Sequence, residues 1–390
     1  KNMKLIVLVV LVAFFIACAR LEQNFPENVT MIIRGHGYPC TDHTATTPDG
    51  FILSLQRISH GRDVSYSSGR PIVFLQHGLG GSAVDWTLNN PTESLSYILA
   101  DAGYDVWLGN NRGDDYSTTN VKYTEKDDQF WDWTFDELAQ YDVPTMINYV
   151  LKTTGRENLT YIGHSQGTTQ AFASFVTTDI AEKVNLYVAL APVAFLNHCK
   201  SFLVQALVRL HVDTIFKLLG NKEFKGEPKT IAKIAPEFCK FFPDMCKDLI
   251  FLWAGFDSAD LNGTRADYYL HYEPSPSSVK NMVHWAQLAR TTFEKYDYGT
   301  AEKNEKHYGT ADPPHYDLQK WPATLPTALF YGGHDDLADV KDVEHLLQVL
   351  PVPVMTHFEE KYNHYDFILG VDAHKLIYPM ILNMIKTYNY

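Results

Sequence analysis

The apolar positions change rhythm along the chain, and the changes divide it. Residues 40–58 alternate between apolar and polar in two short runs joined at Pro48-Asp49-Gly50, which predicts an antiparallel hairpin at a sheet edge. A strand-helix rhythm follows. Residues 71–76 form a buried strand ending in His77-Gly78-Leu79-Gly80-Gly81, residues 91–102 a helix closed by Gly103, and residues 104–108 another strand. Thr134-Phe135-Asp136-Glu137 is a capping box, since Thr134 and Glu137 can satisfy the free N–H groups that open a helix. That helix should stop at Gly155, with a kink at Pro144. A strand at 159–163, a helix at 165–177 and a strand at 184–191 complete the first half.

From about 197 to 321 the alternation is lost. Residues 202–219 read as an apolar amphipathic helix, 250–256 as a very hydrophobic run, and 274–278 as a turn-rich hinge. It resumes with a strand at 327–331, a helix at 340–350, a strand at 352–358 and a closing helix at 373–388. Strands separated by helical patterns imply a mostly parallel α/β sheet with helices on both faces. The organisation expected is a core of residues 20–196 and 322–390, interrupted by a largely helical cap or lid at 197–321. No internal repeat is found.

Residues 5–19 are an uncharged apolar run behind Lys1 and Lys4, ending in Ala17-Cys18-Ala19. This is the plan of a secretory signal peptide, assigned to residues 1–19 with Met3 as the start; the run is shorter than the roughly 20 apolar residues of a membrane span. The expected location is therefore extracellular or the lysosomal lumen, and no other stretch is long and apolar enough to span a bilayer. Sequons at Asn28, Asn158 and Asn262 agree with that route. Of the five cysteines, four remain after the leader; Cys239 and Cys246 are expected to pair, whereas the pairing of Cys40 and Cys199 is left open. The 390 residues are 45% apolar and 20% charged with a net charge of −13, enough for a large core and without the basic stripe that nucleic acid demands. The sixteen His form no metal-site pattern, and no cofactor is expected.

Gly163-His164-Ser165-Gln166-Gly167 is the only G-x-S-x-G in the chain and lies where a strand meets a helix. A serine hydroxyl needs a base to take its proton, and the base needs an acid to fix its tautomer. In the α/β hydrolases, which this strand-turn-helix motif resembles, the order is Ser, acid, His, with the last two on loops after late strands. Asp335 and His364 occupy those loops; Asp336 and Asp339 are alternative acids, while His334 comes too early and His357 falls within a strand. Backbone donors for an oxyanion are expected at Gln166, just after the nucleophile, and at Leu79, after the third strand. His77 is expected to brace that loop. The loop also fits a loose G-x-G-x-x-A dinucleotide pattern, with Asp101 or Asp105 as the acid, but that reading leaves Ser165, Asp335 and His364 unexplained.

Five blocks carry a resemblance: Phe74-Leu75-Gln76-His77-Gly78-Leu79; Ala100-Asp101-Ala102-Gly103-Tyr104-Asp105-Val106-Trp107-Leu108-Gly109-Asn110; the Ser165 pentapeptide; Gly332-Gly333-His334-Asp335-Asp336-Leu337-Ala338-Asp339; and Tyr362-Asn363-His364. In these and in their order the chain, from about Val29 onward, resembles the acid lipase family of gastric and lysosomal acid lipases and insect relatives. The resemblance implies an α/β-hydrolase fold. It further implies Ser165 as nucleophile, Asp335 and His364 completing a triad, Leu79 and Gln166 as the oxyanion hole, and a cap with a short disulfide, fitting Cys239 and Cys246. Acid-stable hydrolysis of triacylglycerols or cholesteryl esters at a lipid-water interface is its functional implication. Gly80-Gly81 departs from the family pattern, which has larger residues there, and is expected to loosen the acyl pocket. The competing reading is a non-catalytic lipid carrier that keeps the fold; such loss ordinarily shows as a missing triad member, and none is missing.

Overall fold

The computed structural model describes residues 25–65, 67–201, 204–205, 222–224 and 261–388. The expected leader at 1–19, Cys239 and Cys246, the 250–256 run and most of the 202–219 segment lie outside them. Among the described residues the main sheet has nine strands, eight in one path. These are β1 (Thr41–Thr46), β2 (Phe51–Ile58), β3 (Ile72–Gln76), β4 (Asp105–Gly109), β5 (Leu159–His164), β6 (Val184–Leu190), β7 (Thr327–Gly332) and β8 (Val354–Glu359), in the order β1-β2-β4-β3-β5-β6-β7-β8. The ninth, Thr119–Asn120, pairs with β2.

The hairpin β1–β2 is antiparallel, β2 joins β4 antiparallel, and every later pairing is parallel. β3, β4 and β5 are buried at every position, as strands covered on both faces must be, which is why they read as continuous apolar runs. Because β4 lies on one side of β3 and β5 on the other, the chain reverses direction across the sheet at β3. The carboxyl ends of β3 and β5 therefore flank a crevice, the place where open α/β sheets bind ligands.

Local sequence explains most helices: α1 (Val29–Gly35), α2 (Leu95–Asp101), α3 (Val143–Thr154), α4 (Gln166–Thr177), α5 (Ala266–Tyr272), α6 (Val279–Leu288), α7 (Ala301–Tyr308), α8 (Val340–Val349) and α9 (Tyr378–Tyr388). The Thr134 capping box forms, and α3 ends at Gly155 in the left-handed conformation, φ 69°. The bend expected at Pro144 takes the form of a π-helical turn, Leu138–Asp142, immediately ahead of α3. A proline lacks the N–H that would close the preceding α turn, so the widened turn absorbs the missing bond. For the same reason the closing helix is broken at Ile377, two residues before Pro379. The 91–102 helix is shorter than its pattern, starting at Leu95 after a turn at Pro91.

Among the described residues no strand of the main sheet falls between Leu190 and Thr327, where α5, α6 and α7 lie. Cys40 and Cys199 are buried free thiols. Asn28 caps α1 by accepting from Met31 N–H at 2.9 Å, Asn262 caps the turn Gly263–Arg265, and Asn158 accepts from Asn185 at 3.2 Å; all three are half-buried. Among the described residues no helix is long and apolar enough to cross a membrane.

Candidate active site

Ser165 sits between β5 and α4 with φ 51° and ψ −119°, a strained backbone for any residue with a side chain. The turn is tight enough to exclude Cβ atoms on both sides. A side chain on Gly163 would strike the carbonyl of Gly167, and one on Gly167 would strike that of Gln76. Glycine at both positions is thus a packing requirement, and the result lifts the serine above the sheet edge.

Asp335 follows β7 and His364 follows β8. The structure brings both to Ser165: His364 Nε2 accepts from Ser165 Oγ at 2.7 Å, and His364 Nδ1 donates to Asp335 Oδ2 and Oδ1 at 2.9 and 3.1 Å. Asp335 is 3% exposed and His364 2%, while Ser165 keeps a face open. Asp335 Oδ1 also accepts from the N–H groups of Leu337 and Ala338 at 2.9 and 2.8 Å, which fixes the carboxylate against the ring. Of the other candidate acids, Asp339 caps α8 through Lys341 N–H and pairs with Lys200 at 2.6 Å. Asp336 is half-buried, and its backbone carbonyl accepts from Lys200 and Ser201. His357 lies within β8, 3.7 Å from Glu359.

Leu79 follows β3 and Gln166 opens α4. Among the described residues neither backbone N–H makes another hydrogen bond, as expected for a loop donor and for the first residue of a helix. Gln166 adjoins Ser165 in the chain, and Leu79 lines the same cleft as Ser165. His77 braces the loop beneath them. Its Nδ1–H donates to Gly78 O at 2.8 Å; its Nε2 lies 3.1 Å from Asn111 N and 3.2 Å from Asp114 Oδ2. Burial opposes its protonation, but the hydrogen bond and charge of Asp114 outweigh that and raise its pKa.

His164, before the nucleophile, was not singled out by the sequence. Its Nε2–H donates to the carbonyl of His364 at 2.8 Å, tying the β8 loop to the nucleophile turn. Complete burial, helped by the facing His364, pushes its pKa down to about 3, so the ring stays neutral. The cleft over Ser165 has a mostly apolar wall, with Leu79, Val193, Leu196, Met282, Trp285 and Leu337 among its residues. Of the two glycines expected to loosen the pocket, a Cβ on Gly81 would collide with the Asp85 carboxylate, which fills that space, whereas one on Gly80 would make only ordinary contact with Pro274 at 3.5 Å. Among the described residues no cluster of His, Cys, Asp and Glu is arranged to hold a metal.

Residues 71–371 match the alpha/beta hydrolase fold family, and residues 29–90 match the partial alpha/beta-hydrolase lipase region. The human gastric triacylglycerol lipase is 40% identical over 376 residues, covering 94% of each chain. The human lysosomal acid lipase/cholesteryl ester hydrolase is 39% identical over 366 residues, covering 93% of this chain and 91% of its own, and human lipase member K is 39% identical over 375 residues, covering 95% and 93%. The solved monoglyceride lipase of Saccharomyces cerevisiae, as a soluble variant, has a TM-score of 0.50 at 15% identity over 90% of this chain and 97% of its own. An esterase from Exiguobacterium antarcticum has a TM-score of 0.51 at 13% identity over 89% and 100%. The two structures share only the fold, but identity near 40% across almost the whole length joins with the sheet order and the strained serine turn, and the chain therefore belongs to the acid lipase family of α/β hydrolases, a family of carboxylic ester hydrolases.

Proposed function

We propose that this protein is a serine lipase that cleaves neutral lipid esters, triacylglycerols or cholesteryl esters, through an acyl-enzyme. The observation that carries the reading is the unbroken chain Ser165 Oγ, His364, Asp335, with two unengaged N–H groups, on the next residue and on the cleft-lining Leu79, and an apolar cleft above it. His364 takes the Ser165 proton as the oxygen attacks the ester carbonyl, and Asp335 stabilises the imidazolium. The N–H groups of Leu79 and Gln166 hold the negative oxygen of the tetrahedral intermediate. His364 then returns the proton to the departing alcohol, and a water activated by the same ring releases the fatty acid. The apolar wall favours acyl chains over charged substrates.

The same reading assigns residues 197–321 to a cap inserted between the core parts 20–196 and 322–390. It also assigns residues 1–19 to a cleaved secretory leader, Cys239 and Cys246 to a disulfide, and Asn28, Asn158 and Asn262 to glycans. The half-buried setting of the three Asn side chains is compatible with modification.

The test is Ser165→Ala assayed on emulsified triolein, cholesteryl oleate and a soluble short-chain ester from acid to neutral pH. A roughly million-fold loss of kcat with an unchanged melting temperature is expected. Retention of more than a few per cent of activity would overturn the assignment.

A further inference from the structure

The side chain of Gln166 has no part in the mechanism above, yet it is buried and its oxygen is doubly engaged. It is 3% exposed, and its Oε1 accepts from two donors at once: Asn281 Nδ2 at 2.8 Å and Trp285 Nε1 at 2.7 Å. Both donors stand on α6, one turn apart and so on one helix face. Two N–H groups converging on one oxygen settle which way the amide points, because the flipped amide would set donors against donors. Asn281 is itself pinned. It is 0% exposed, its Oδ1 accepts from Phe135 N–H at 2.9 Å, and its backbone N–H donates to Ser278 Oγ at 2.9 Å.

We propose that Asn281 and Trp285 are positioning residues that hold the oxyanion hole in its working geometry by gripping the Gln166 side chain; this rests on the reading of Gln166 N–H as an oxyanion donor. The need for a grip follows from the strained turn. Ser165 at φ 51° relaxes by rotating the peptide that joins it to Gln166, and that peptide carries the donor N–H. Such strain persists only where the surroundings over-determine it. The β5 strand fixes the turn from one side; α6, through two buried hydrogen bonds, fixes it from the other. Since α6 belongs to the segment between β6 and β7, the oxyanion hole is completed by a part of the chain that is not in the sheet. α6, whose Met282 and Trp285 line the cleft, is thereby tied to the nucleophile turn.

Asn281 is not among the described residues that line the cleft, so its replacement does not remove a cleft-wall side chain. On a soluble short-chain ester, Asn281→Leu is expected to lower kcat about tenfold with KM within twofold, a fraction of the loss seen when an oxyanion donor is removed outright. A boronic acid that forms a tetrahedral adduct on Ser165 should lose affinity by the same factor, while a non-hydrolysable ether analogue should bind unchanged. Trp285→Phe should act in the same direction, and provides the test if Asn281→Leu does not fold. The double variant Asn281→Leu, Gln166→Leu should be no slower than the worse single variant, because the two act through one contact. Wild-type kcat in the folded single variants, equal weakening of boronate and ether, or additive losses in the double variant would each overturn the proposal. Failure of the lipase reading shows separately, as boronate inhibition that survives Ser165→Ala.

Discussion

Two imidazole–carboxylate pairs lie buried at the carboxyl edge of the sheet, and they are built alike from the carboxylate outward. In one, Asp335 Oδ1 accepts from the N–H groups two and three residues ahead, Leu337 and Ala338. In the other, Asp114 Oδ1 accepts from Tyr116 and Ser117 at the same offsets, at 2.9 and 2.8 Å. Each holds its histidine within about a hydrogen bond, at 2.9 Å to His364 and 3.2 Å to His77. The difference is at the far side of the ring. His364 presents Nε2 to the Ser165 hydroxyl, whereas both nitrogens of His77 face backbone groups, Gly78 O and Asn111 N. A buried His–Asp pair is thus not a catalytic signature by itself. The ring does chemistry only where its second nitrogen is left for a proton that can travel, and elsewhere the same unit serves to fix a loop.

Matching substitutions in the two carboxylates sharpen this contrast most. Asp335→Asn should lower kcat on the order of 10⁴-fold while the protein stays folded, since the amide favours the wrong tautomer of the base. Asp114→Asn should do the reverse: it leaves a buried pair broken, at about 3 kcal/mol of stability, and changes kcat within about tenfold. Melting curves and steady-state rates on one soluble ester decide both, and a 10⁴-fold kinetic loss in a stable Asp114 variant would erase the distinction. Smaller still, Asp336→Asn should alter kcat within about threefold, because His364 is engaged by Asp335.

Stability should also depend on pH, where two histidines near the site carry opposite signs. His77 has a folded-state pKa above its ordinary 6.5, so its contribution is fully present below 6.5 and is lost as pH rises through the folded value. His77→Gln should therefore lower the melting temperature more at pH 5 than at pH 8. His164 is held near 3, so the unfolded chain takes up a proton below 6.5 that the folded protein refuses, and stability falls with acid by about 1 kcal/mol per pH unit. His164→Gln removes that penalty, and its loss of stability should be smaller at pH 4 than at pH 7. Parallel curves for wild type and variant across this range would show that neither ring titrates as its surroundings demand.

Much of this was legible in the chain order alone. The apolar runs of β3 to β6, the Thr134 capping box and the stop at Gly155 are local matters, decided by burial on both faces, by unsatisfied N–H groups and by left-handed backbone. The positions of Ser165, Asp335 and His364 were legible too, since a parallel sheet delivers the ends of its strands to one edge whatever lies between them. What Gly80-Gly81 does to the cleft was not legible, because the space beside a glycine depends on what folds into it, here Asp85 from the next turn beside Gly81. Asn281 and Trp285 carry no motif, and they matter only because α6 docks on α4 more than a hundred residues away in sequence. The roles of His77 and His164 turn on which carbonyl or carboxylate meets each ring nitrogen, a matter of a few tenths of an ångström. Sequence determined which groups reach the site, because periodicity and turns are short-range; tertiary packing alone decided which of them are free to react, because that depends on the last hydrogen bond each one makes.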